Sequence, residues 1–453
     1  MRPIVTPEEM KAIDEAAPEP VEVLVERAGA AVARAALRML GGGYGRRVVV
    51  VAGKGNNGAD GRAAAARLVR RGVGVQVVDA AAGAPAVGPC DLVIDAAYGT
   101  GFRGEYRAPE PGGAPVLAVD IPSGVDGLTG EAGAGAVRAD HTVTFAALKP
   151  GLLLGEGPER SGQVEVADIG LDVSSARAAL VDEGDLGAWL PPPVRDSHKW
   201  RSAVYVVAGS PGMAGAAHLC ARATMRAGAG TVRLAIPGVA PLPPFLEVVG
   251  RSVPATGWDA DVAEDSARAK AVIVGPGLSR TDSTAEAVRS LLPKVAVPMV
   301  LDADGLFALG TAEEAADVLR QRSAPTVLTP HDGEFKRLTG HPPGADRLAA
   351  ARDLAGRTGA TVLLKGSTTV VADPDGSSLL ANQADARLAS AGTGDVLAGV
   401  LGALLAQGLP PLRAAGLAAY VHGAAGNRGW RRGLVAGDLL DALPAVLDEA
   451  GAG

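Results

Sequence analysis

The chain has 453 residues, a hydrophobic fraction of 47% and a formal charge of −7. This length gives room for roughly two to three domains with real cores, and the acidic balance, with no long basic run, argues against a nucleic-acid partner. No apolar run approaches about eighteen residues, and the N-terminus "MRPIVTPEEMKAIDEAA" lacks an apolar signal segment, so no membrane association is expected. Cys90 and Cys220 stand alone without C-x-x-C spacing, which fits a reducing cytoplasm and excludes a cysteine zinc site. Arginine is the default cation of this chain, so Lys54, Lys149 and Lys365 stand out.

Thr6, Pro7 and Glu9 form a capping box that opens a helix through about Ala17, and apolar spacing from Val21 to Leu40 predicts a second. Short strands follow at Arg47–Ala52, Val73–Asp79, Asp91–Ala96, Val116–Ile121, His141–Ala146 and Gln163–Ile169. They are apolar on both faces, as in a parallel sheet covered by helices. Gly58 to Arg71 makes a crossover helix. The stretches Asp79–Asp91 and Gly104–Pro115 are too short for one, so one face of this sheet is expected to be thinly covered. Leu171 to about Lys199 reads as a junction ending in the stiff "PPPVRDSHKW".

A second strand–helix series then begins, with strands at Ala203–Ala208, Thr231–Ile236, Ala271–Gly275, Pro298–Asp302, Pro325–Thr329 and Thr361–Ala372. Its helices are predicted near Ala214–Ala227, Asp282–Leu292, Asp346–Gly356, Gly394–Gln407 and Leu412–Gly426. The fold class is therefore α/β in two domains, 1–175 and 185–453.

"VVVVAGKGNNGADG", residues 48 to 61, contains G-x-G-x-x-G at Gly53, Gly55 and Gly58, and Asp79 follows at a distance suited to a ribose hydroxyl. Lys54, Asn56, Asn57 and Asp60 fill this turn with polar side chains that a simple pyrophosphate cradle does not need. Two further strands end in "DAAYGTGFRG" and "VDIPSGVD", and ligands of open α/β sheets bind beyond such strand ends. Any one of these turns reads most simply as an Asp-capped loop; three together point to a crevice.

This set resembles the epimerase domain of NAD(P)H-hydrate repair enzymes, over residues 1 to about 170. The resemblance implies a Rossmann-like three-layer domain that interconverts R and S hydrates of NAD(P)H with a bound potassium ion. It implies substrate loops at Asn56, Asn57, Gly58, Ala59 and Asp60, and at Gly99, Thr100, Gly101, Phe102, Arg103, Gly104 and Glu105. It further implies Asn57, Asp95 and Ser123 as potassium ligands and Asp120 as a substrate contact and acid/base. Oxygen donors of these types suit a hard cation, and epimerisation needs a positioned proton donor and acceptor. Ala59 stands where the family usually has glycine, which is tolerable if its φ is negative.

In the second half, "ASAGTGDVLAGVLGALLAQG" sets glycines at the head of a long apolar helix with Asp395 in its first turn, a natural anion pocket. "LLKGSTTVVADP", "LTPHDGEFKRLTG", "VIVGPGLS" and "AGSPGMAGAA" add further turns at strand ends, and no G-x-x-x-x-G-K-[ST] is present. A first-turn Asp is usually a cap and a lone His usually structural; the combination is far more specific. It resembles the ribokinase-like fold of the ADP-dependent NAD(P)H-hydrate dehydratase, over about Trp189 to Leu447. The resemblance implies that Lys365, Gly366, Ser367, Thr368, Thr369 and Gly394 hold the nucleotide, and that Ala216, Gly277, His331 and Asp395 hold the hydrate. Asp395 would take the C6 hydroxyl proton as that oxygen attacks the terminal phosphate of ADP, with Mg²⁺ assisting. Asp332 replaces a common proline, and "ANQADARLASAG" brings charge to the approach of the G-T-G-D turn.

A bifunctional repair enzyme, expected to be a homo-oligomer acting on small molecules, is the leading reading. A ribokinase-like vitamin-precursor or sugar kinase with an accessory domain shares "GTGD" but leaves "GKGNNGAD" and "VDIPSGVD" unexplained. A nucleotide sensor or scaffold with decayed sites conflicts with the intact Asp60, Asp95, Asp120, His331 and Asp395. A dehydrogenase lacks a following domain with a His/Arg/Lys set.

Overall fold

The computed structural model describes residues 1–453 except 84–85, 103, 193–194, 241–246 and 450–453. The chain forms two compact units, one of Arg2–Ala178 and one of Met1 with 179–453. Among the described residues no helix is long and apolar enough to cross a membrane.

The first unit is built on six parallel strands: β1 (Arg47–Ala52), β2 (Gly74–Asp79), β3 (Leu92–Ala96), β4 (Val116–Val119), β5 (His141–Phe145) and β6 (Gln163–Ala167), in the order β2-β1-β3-β4-β5-β6. Helix α1 (Pro7–Glu15) opens with the expected Thr6–Glu9 capping box, and α2 (Val21–Leu40) ends at Gly41 in the left-handed region. Helices α2 and α3 (Asn56–Val69) bury their apolar stripes with Val48, Val50, Leu92, Ile94 and Leu117. The period-2 alternation of the strands sends Val49, Val51, Val93 and Val116 to the opposite face. There the cover consists of loop residues, among them Tyr106, Ala108, Val137 and Ala139, and among the described residues only the short turn Ala80–Ala82 lies where a crossover helix would.

The glycines of the first turn serve close packing. A Cβ on Gly53 would lie 1.9 Å from the Ala97 carbonyl oxygen, and one on Gly58 would lie 1.9 Å from that of Gly53. The helix begins two residues before Gly58, at Asn56, and Ala59 sits inside it with negative φ, so its methyl is accommodated. Asp79 accepts the Ala81 N–H at 2.9 Å as the cap of its own turn.

In the second unit the strands are β7 (Ala203–Val207), β8 (Thr231–Ala235), β9 (Val248–Arg251), β10 (Ala271–Val274), β11 (Met299–Leu301), β12 (Thr326–Leu328), β13 (Thr361–Leu364), β14 (Thr369–Ala372) and β15 (Ser378–Ala381). They run β15-β14-β13-β12-β11-β10-β7-β8-β9, parallel except for the antiparallel β13-β14-β15 edge. The predicted single strand Thr361–Ala372 is therefore a hairpin, because Lys365–Thr368 turn the chain back on itself. The unit's helices of eight residues or more are α4 (Ala214–Arg226), α5 (Asp282–Leu291), α6 (Ala312–Leu319), α7 (Asp332–Thr339), α8 (Arg347–Thr358), α9 (Thr393–Ala406), α10 (Pro411–Arg428) and α11 (Ala436–Asp448). Helix α9 is buried on nearly every side. Gly399 and Gly402 let it approach α4 and the sheet, since added Cβ atoms would lie 2.4 Å from the Cys220 carbonyl oxygen and from the Ile273 side chain.

The stretch read as a junction is partly ordered secondary structure: a strand at Ala178–Leu180 and a helix at Glu183–Trp189 whose capping box pairs Asp182 with Asp185. Both are too short for apolar periodicity to reveal.

Gly58→Ala is expected to destabilise the first unit by about 3 kcal/mol, the upper range for overpacking a close-packed site. Gly88→Ala, where a new Cβ meets nothing within 4 Å, serves as the control and should stay within about 0.5 kcal/mol. Denaturant unfolding of both variants checks this.

Candidate active sites

In the first unit the strand ends open into a cavity of about 550 Å³. Asn56, Asn57, Asp60, Gly99, Thr100, Gly101, Phe102 and Asp120, all expected there, line it. Gly58, Ala59, Gly104 and Glu105 do not, and Arg103 lies outside the described residues. The remaining wall, which the sequence reading left unassigned, comes from α1 and α2 through Met10, Asp14, Val21 and Leu24, and from Lys149.

Lys149 is 1% exposed, and its ammonium lies 2.9 Å from Asp120 Oδ1. It also donates to Thr144 Oγ1 and to the carbonyls of Phe145 and Ala147 at 2.9–3.2 Å. Thr144 donates to the same Oδ1 at 3.1 Å, so that oxygen is saturated. Oδ2 lies on the other side, beside Gly99, where a Cβ would approach it to 3.2 Å. Asp120 adopts φ 67°, a strained conformation of the kind concentrated at functional strand ends. Asp60 is 8% exposed. Burial, with the charges of Asp120 and Asp14 added, pushes its carboxyl up to about 8.

Asp95 is buried away from this cavity's wall and accepts Ser123 Oγ–H at 2.7 Å and Ser123 N–H at 2.8 Å. Asn57, beside Gly99, has both amide atoms buried without any hydrogen-bond partner. An orphaned amide oxygen and a buried carboxylate–hydroxyl pair are donor types that suit a hard monovalent cation.

In the second unit Asp395 stands in the first turn of α9, after Gly392 at φ 91°. Thr393 Oγ1 bonds the Leu388 and Ser390 carbonyls, and His422 Nε2 lies 2.9 Å from the Thr393 carbonyl. Burial pushes His422 down to about 4, so it is neutral and its Nε2–H donates. Lys365 Nζ lies 2.5 Å from Asp302 Oδ1, which also accepts Thr329 Oγ1–H at 2.7 Å. Burial alone would lower the Lys365 ammonium; the Asp302 and Glu334 carboxylates outweigh it and raise it. Asp395 is raised to about 6 by burial and by Asp302, with Lys365 opposing. Lys365 also reaches Gly394, whose Cβ position lies 3.6 Å from Nζ.

The other expected residues fall at neighbouring turns. A Cβ on Gly277, at φ 64°, would lie 3.0 Å from the Ala216 methyl, so these two meet. His331 caps α7, its Nδ1 accepting the Gly333 and Glu334 N–H groups, and its ring is otherwise exposed. Arg347 bridges the Asp332 carboxylate and the Lys365 carbonyl at 2.8 and 2.6 Å, tying the His331 and Lys365 turns together and replacing proline's rigidity. Asp385 and Arg387 neutralise each other beside Asn427, so the added charge before the G-T-G-D turn is compensated. Gly366, Ser367 and Thr368 form the β13–β14 turn, and Thr369 opens β14. Asp302 and His422 went unassigned from sequence, although Asp302 ends a predicted strand as Asp95 and Asp120 do.

These are two units built on parallel strands, each with acids, an ion-paired lysine and glycine turns gathered at its strand ends. The family described as NAD(P)H-hydrate dehydratase matches residues 204–445, and that described as YjeF-related protein N-terminus matches 21–86 and 78–151. The bifunctional NAD(P)H-hydrate repair enzyme Nnr of Salinibacter ruber is 41% identical over 89% of this chain and 87% of its own. That of Moorella thermoacetica is 37% identical over 98% and 96%. A Bacillus subtilis structure, described as ADP/ATP-dependent NAD(P)H-hydrate dehydratase co-crystallised with ATP/Mg²⁺, covers 59% of this chain and 97% of its own at 32% identity and TM-score 0.52. A ribokinase-like superfamily protein of Enterococcus faecalis, 20% identical with TM-score 0.52, shares the fold. The chain belongs to the bifunctional NAD(P)H-hydrate repair enzyme family.

Asp60 generates a pH prediction. In the native unit its carboxyl stays protonated up to about pH 8, whereas the unfolded chain ionises near 3.8. Its contribution to stability is therefore full below about pH 4 and is lost as pH rises to 8. Relative to wild type, Asp60→Asn should gain stability steadily across that window and level off above it. Urea unfolding at several pH values reads this out; a constant difference between the two proteins would refute the buried neutral carboxyl.

Proposed function

We propose that the first unit, over residues 1–175, interconverts the R and S hydrates of NAD(P)H, and that the second, over 185–453, dehydrates the S form at the expense of ADP. The observation that supports this most directly is that the acids and glycine turns implied by the family resemblance gather at the strand ends of each unit.

In the epimerase site Asp60 is protonated at neutral pH and serves as the proton donor. Asp120, its Oδ1 clamped by Lys149 and Thr144, presents Oδ2 as the acceptor. The apolar wall of α1 and α2 shelters the nicotinamide ring. Asn57, Asp95 and Ser123 would hold a potassium ion, whose chemistry is to neutralise substrate oxygen charge.

In the dehydratase site Asp395 takes the proton of the C6 hydroxyl as that oxygen bonds to the terminal phosphorus of ADP and AMP leaves. Loss of phosphate from C6 and of a proton from C5 then forms the ring double bond, giving NAD(P)H. Lys365, held by Asp302, faces the negative charge of the phosphates, together with the N–H groups heading α9. Gly366, Ser367, Thr368, Thr369 and Gly394 would contact the nucleotide, and Ala216, Gly277 and His331 the hydrate. Mg²⁺, when bound with the nucleotide, supplies further charge neutralisation. The unpaired cysteines support a cytoplasmic setting.

Incubating the full chain with an R/S hydrate mixture and ADP, and following reduced-cofactor absorbance with AMP and phosphate release, tests the reading; no turnover would refute it. Asp395→Asn should lower dehydration by about a hundredfold to ten-thousandfold, leaving epimerisation intact. Asp120→Asn should do the reverse. The wild-type kcat/KM for dehydration should rise through about pH 6, where Asp395 ionises.

A further inference from the structure

We propose that the pocket between Arg280 and Arg337 binds a phosphoryl group of the hydrated dinucleotide, an inference that rests on the dehydratase reading above. The pocket, of about 260 Å³, lies beside His331 at the ends of β10, β11 and β12 and has Phe307 as its floor. The Arg337 guanidinium carbon sits 3.3 Å from the centre of that ring and the Arg280 guanidinium carbon 5.3 Å from it. One aromatic ring thus holds two like charges near each other.

Their hydrogen bonding is incomplete in a specific way. Arg280 Nε donates to Asp304 Oδ1 at 2.8 Å, which fixes its plane. No other protein acceptor meets Arg280, and Arg337 makes no hydrogen bond or ion pair among the described residues. The acids nearby are engaged by other groups: Asp304, its side chain 9% exposed, is occupied by Arg280 and the Ser279 N–H. Glu334 also lines the pocket, but its side chain is 11% exposed and both oxygens face His331, Oε2 accepting the backbone N–H at 2.9 Å and Oε1 lying 3.5 Å from Nε2. The hydrogen-bonding groups left open to a ligand are therefore mainly guanidinium, whose planar fork matches phosphate oxygens in pairs. Burial, and the charge of Arg280, push the Arg337 guanidinium down, a repulsion that a bound anion would remove.

The backbone around the pocket is strained to the same end. Ser279 and Ala303, both non-glycine residues in the left-handed region at φ 74° and 49°, stand at the turns that carry Arg280 and Asp304. Asp302 and its partner Lys365 lie immediately before this second turn, so a substrate reaching His331 extends naturally toward the arginines. Two phosphoryl groups of the substrate have the required chemistry: the pyrophosphate, common to both hydrates, and the 2′-phosphate, present only on the NADPH hydrate.

Steady-state dehydration by the full chain at saturating ADP distinguishes them. Arg337→Met should raise the hydrate KM by about ten- to a hundredfold, the scale of a lost charge-assisted hydrogen bond, with kcat little changed. A rise confined to the NADPH hydrate supports the 2′-phosphate; an equal rise for both hydrates supports the pyrophosphate. Arg337→Lys keeps the charge without the fork and should give a smaller rise, which secures the test if the methionine variant folds poorly. Unchanged hydrate KM values in a variant with wild-type unfolding, or a rise confined to the KM for ADP, overturns the proposal. Wild-type protein that turns over neither hydrate instead removes the dehydratase reading, and this site with it.

Discussion

Each unit is organised around a lysine with little exposure locked onto an aspartate that ends a parallel strand: Lys149 on Asp120, and Lys365 on Asp302. Taking such ions out of water costs several kcal/mol apiece, and their attraction offsets this only when the remaining hydrogen-bonding capacity is filled. The Lys149 pair meets the condition; the Lys365 pair meets it on the carboxylate side, while Lys365 Nζ has Asp302 as its one acceptor among the described residues. Lys149 has Thr144 and two backbone carbonyls beside Asp120, and Asp302 has the Thr329 hydroxyl beside Lys365. Once filled, the pair is rigid, because losing either partner strands a buried charge at about 3–5 kcal/mol. The strand ends, and every turn that leaves them, inherit that rigidity.

This constraint explains what could be read from the sequence and what could not. The scarcity of lysine made Lys149 and Lys365 conspicuous, yet their partners were invisible, because the pairing joins segments 29 and 63 residues apart, closed only by the sheet order. Strands β1, β3, β4 and β7 announced themselves through unbroken apolar runs, and Thr6–Glu9 through local capping chemistry. The hairpin of β13 and β14 did not, since Lys365–Thr368 contain one glycine within an otherwise continuous β-type pattern. His331 shows the opposite case: its capping of α7 is a local structural role, while its ring stays largely exposed with Nε2 3.5 Å from Glu334 Oε1. The α1–α2 wall of the first cavity depends wholly on tertiary placement, so Met10 and Leu24 carried no sequence signal for it.

The loop-covered face of the first sheet shows how far a strong core can tolerate lost elements. Val49, Val51, Val93 and Val116 need a cover, and two crossover segments too short for helices supply it with Tyr106, Ala108 and Val87, joined by Val137 and Ala139 from a third loop. Irregular chain cannot fill space as densely as a helix, and a cavity of about 320 Å³ remains beneath these loops. The site lies on strand ends fixed from the other face by α2 and α3, so its geometry survives the economy.

The two sites use the same ingredients, an aspartate with restricted exposure near other aspartates and one lysine, to reach opposite protonation states. Around Asp60 the neighbouring charges of Asp120 and Asp14 add to burial, carrying its carboxyl to about 8, so it holds a proton at neutral pH. Around Asp395 burial and Asp302 act in the same direction, but Lys365 lies close enough to oppose them, and the carboxyl reaches only about 6. It is therefore mostly ionised under the same conditions. What differs is where the lysine spends its field: Lys149 is saturated by Asp120 and by backbone carbonyls, whereas Lys365 pairs with Asp302 and still reaches the head of α9. Whether the carboxyl of each site holds or releases its proton at neutral pH thus follows from the placement of one ammonium group in each fold.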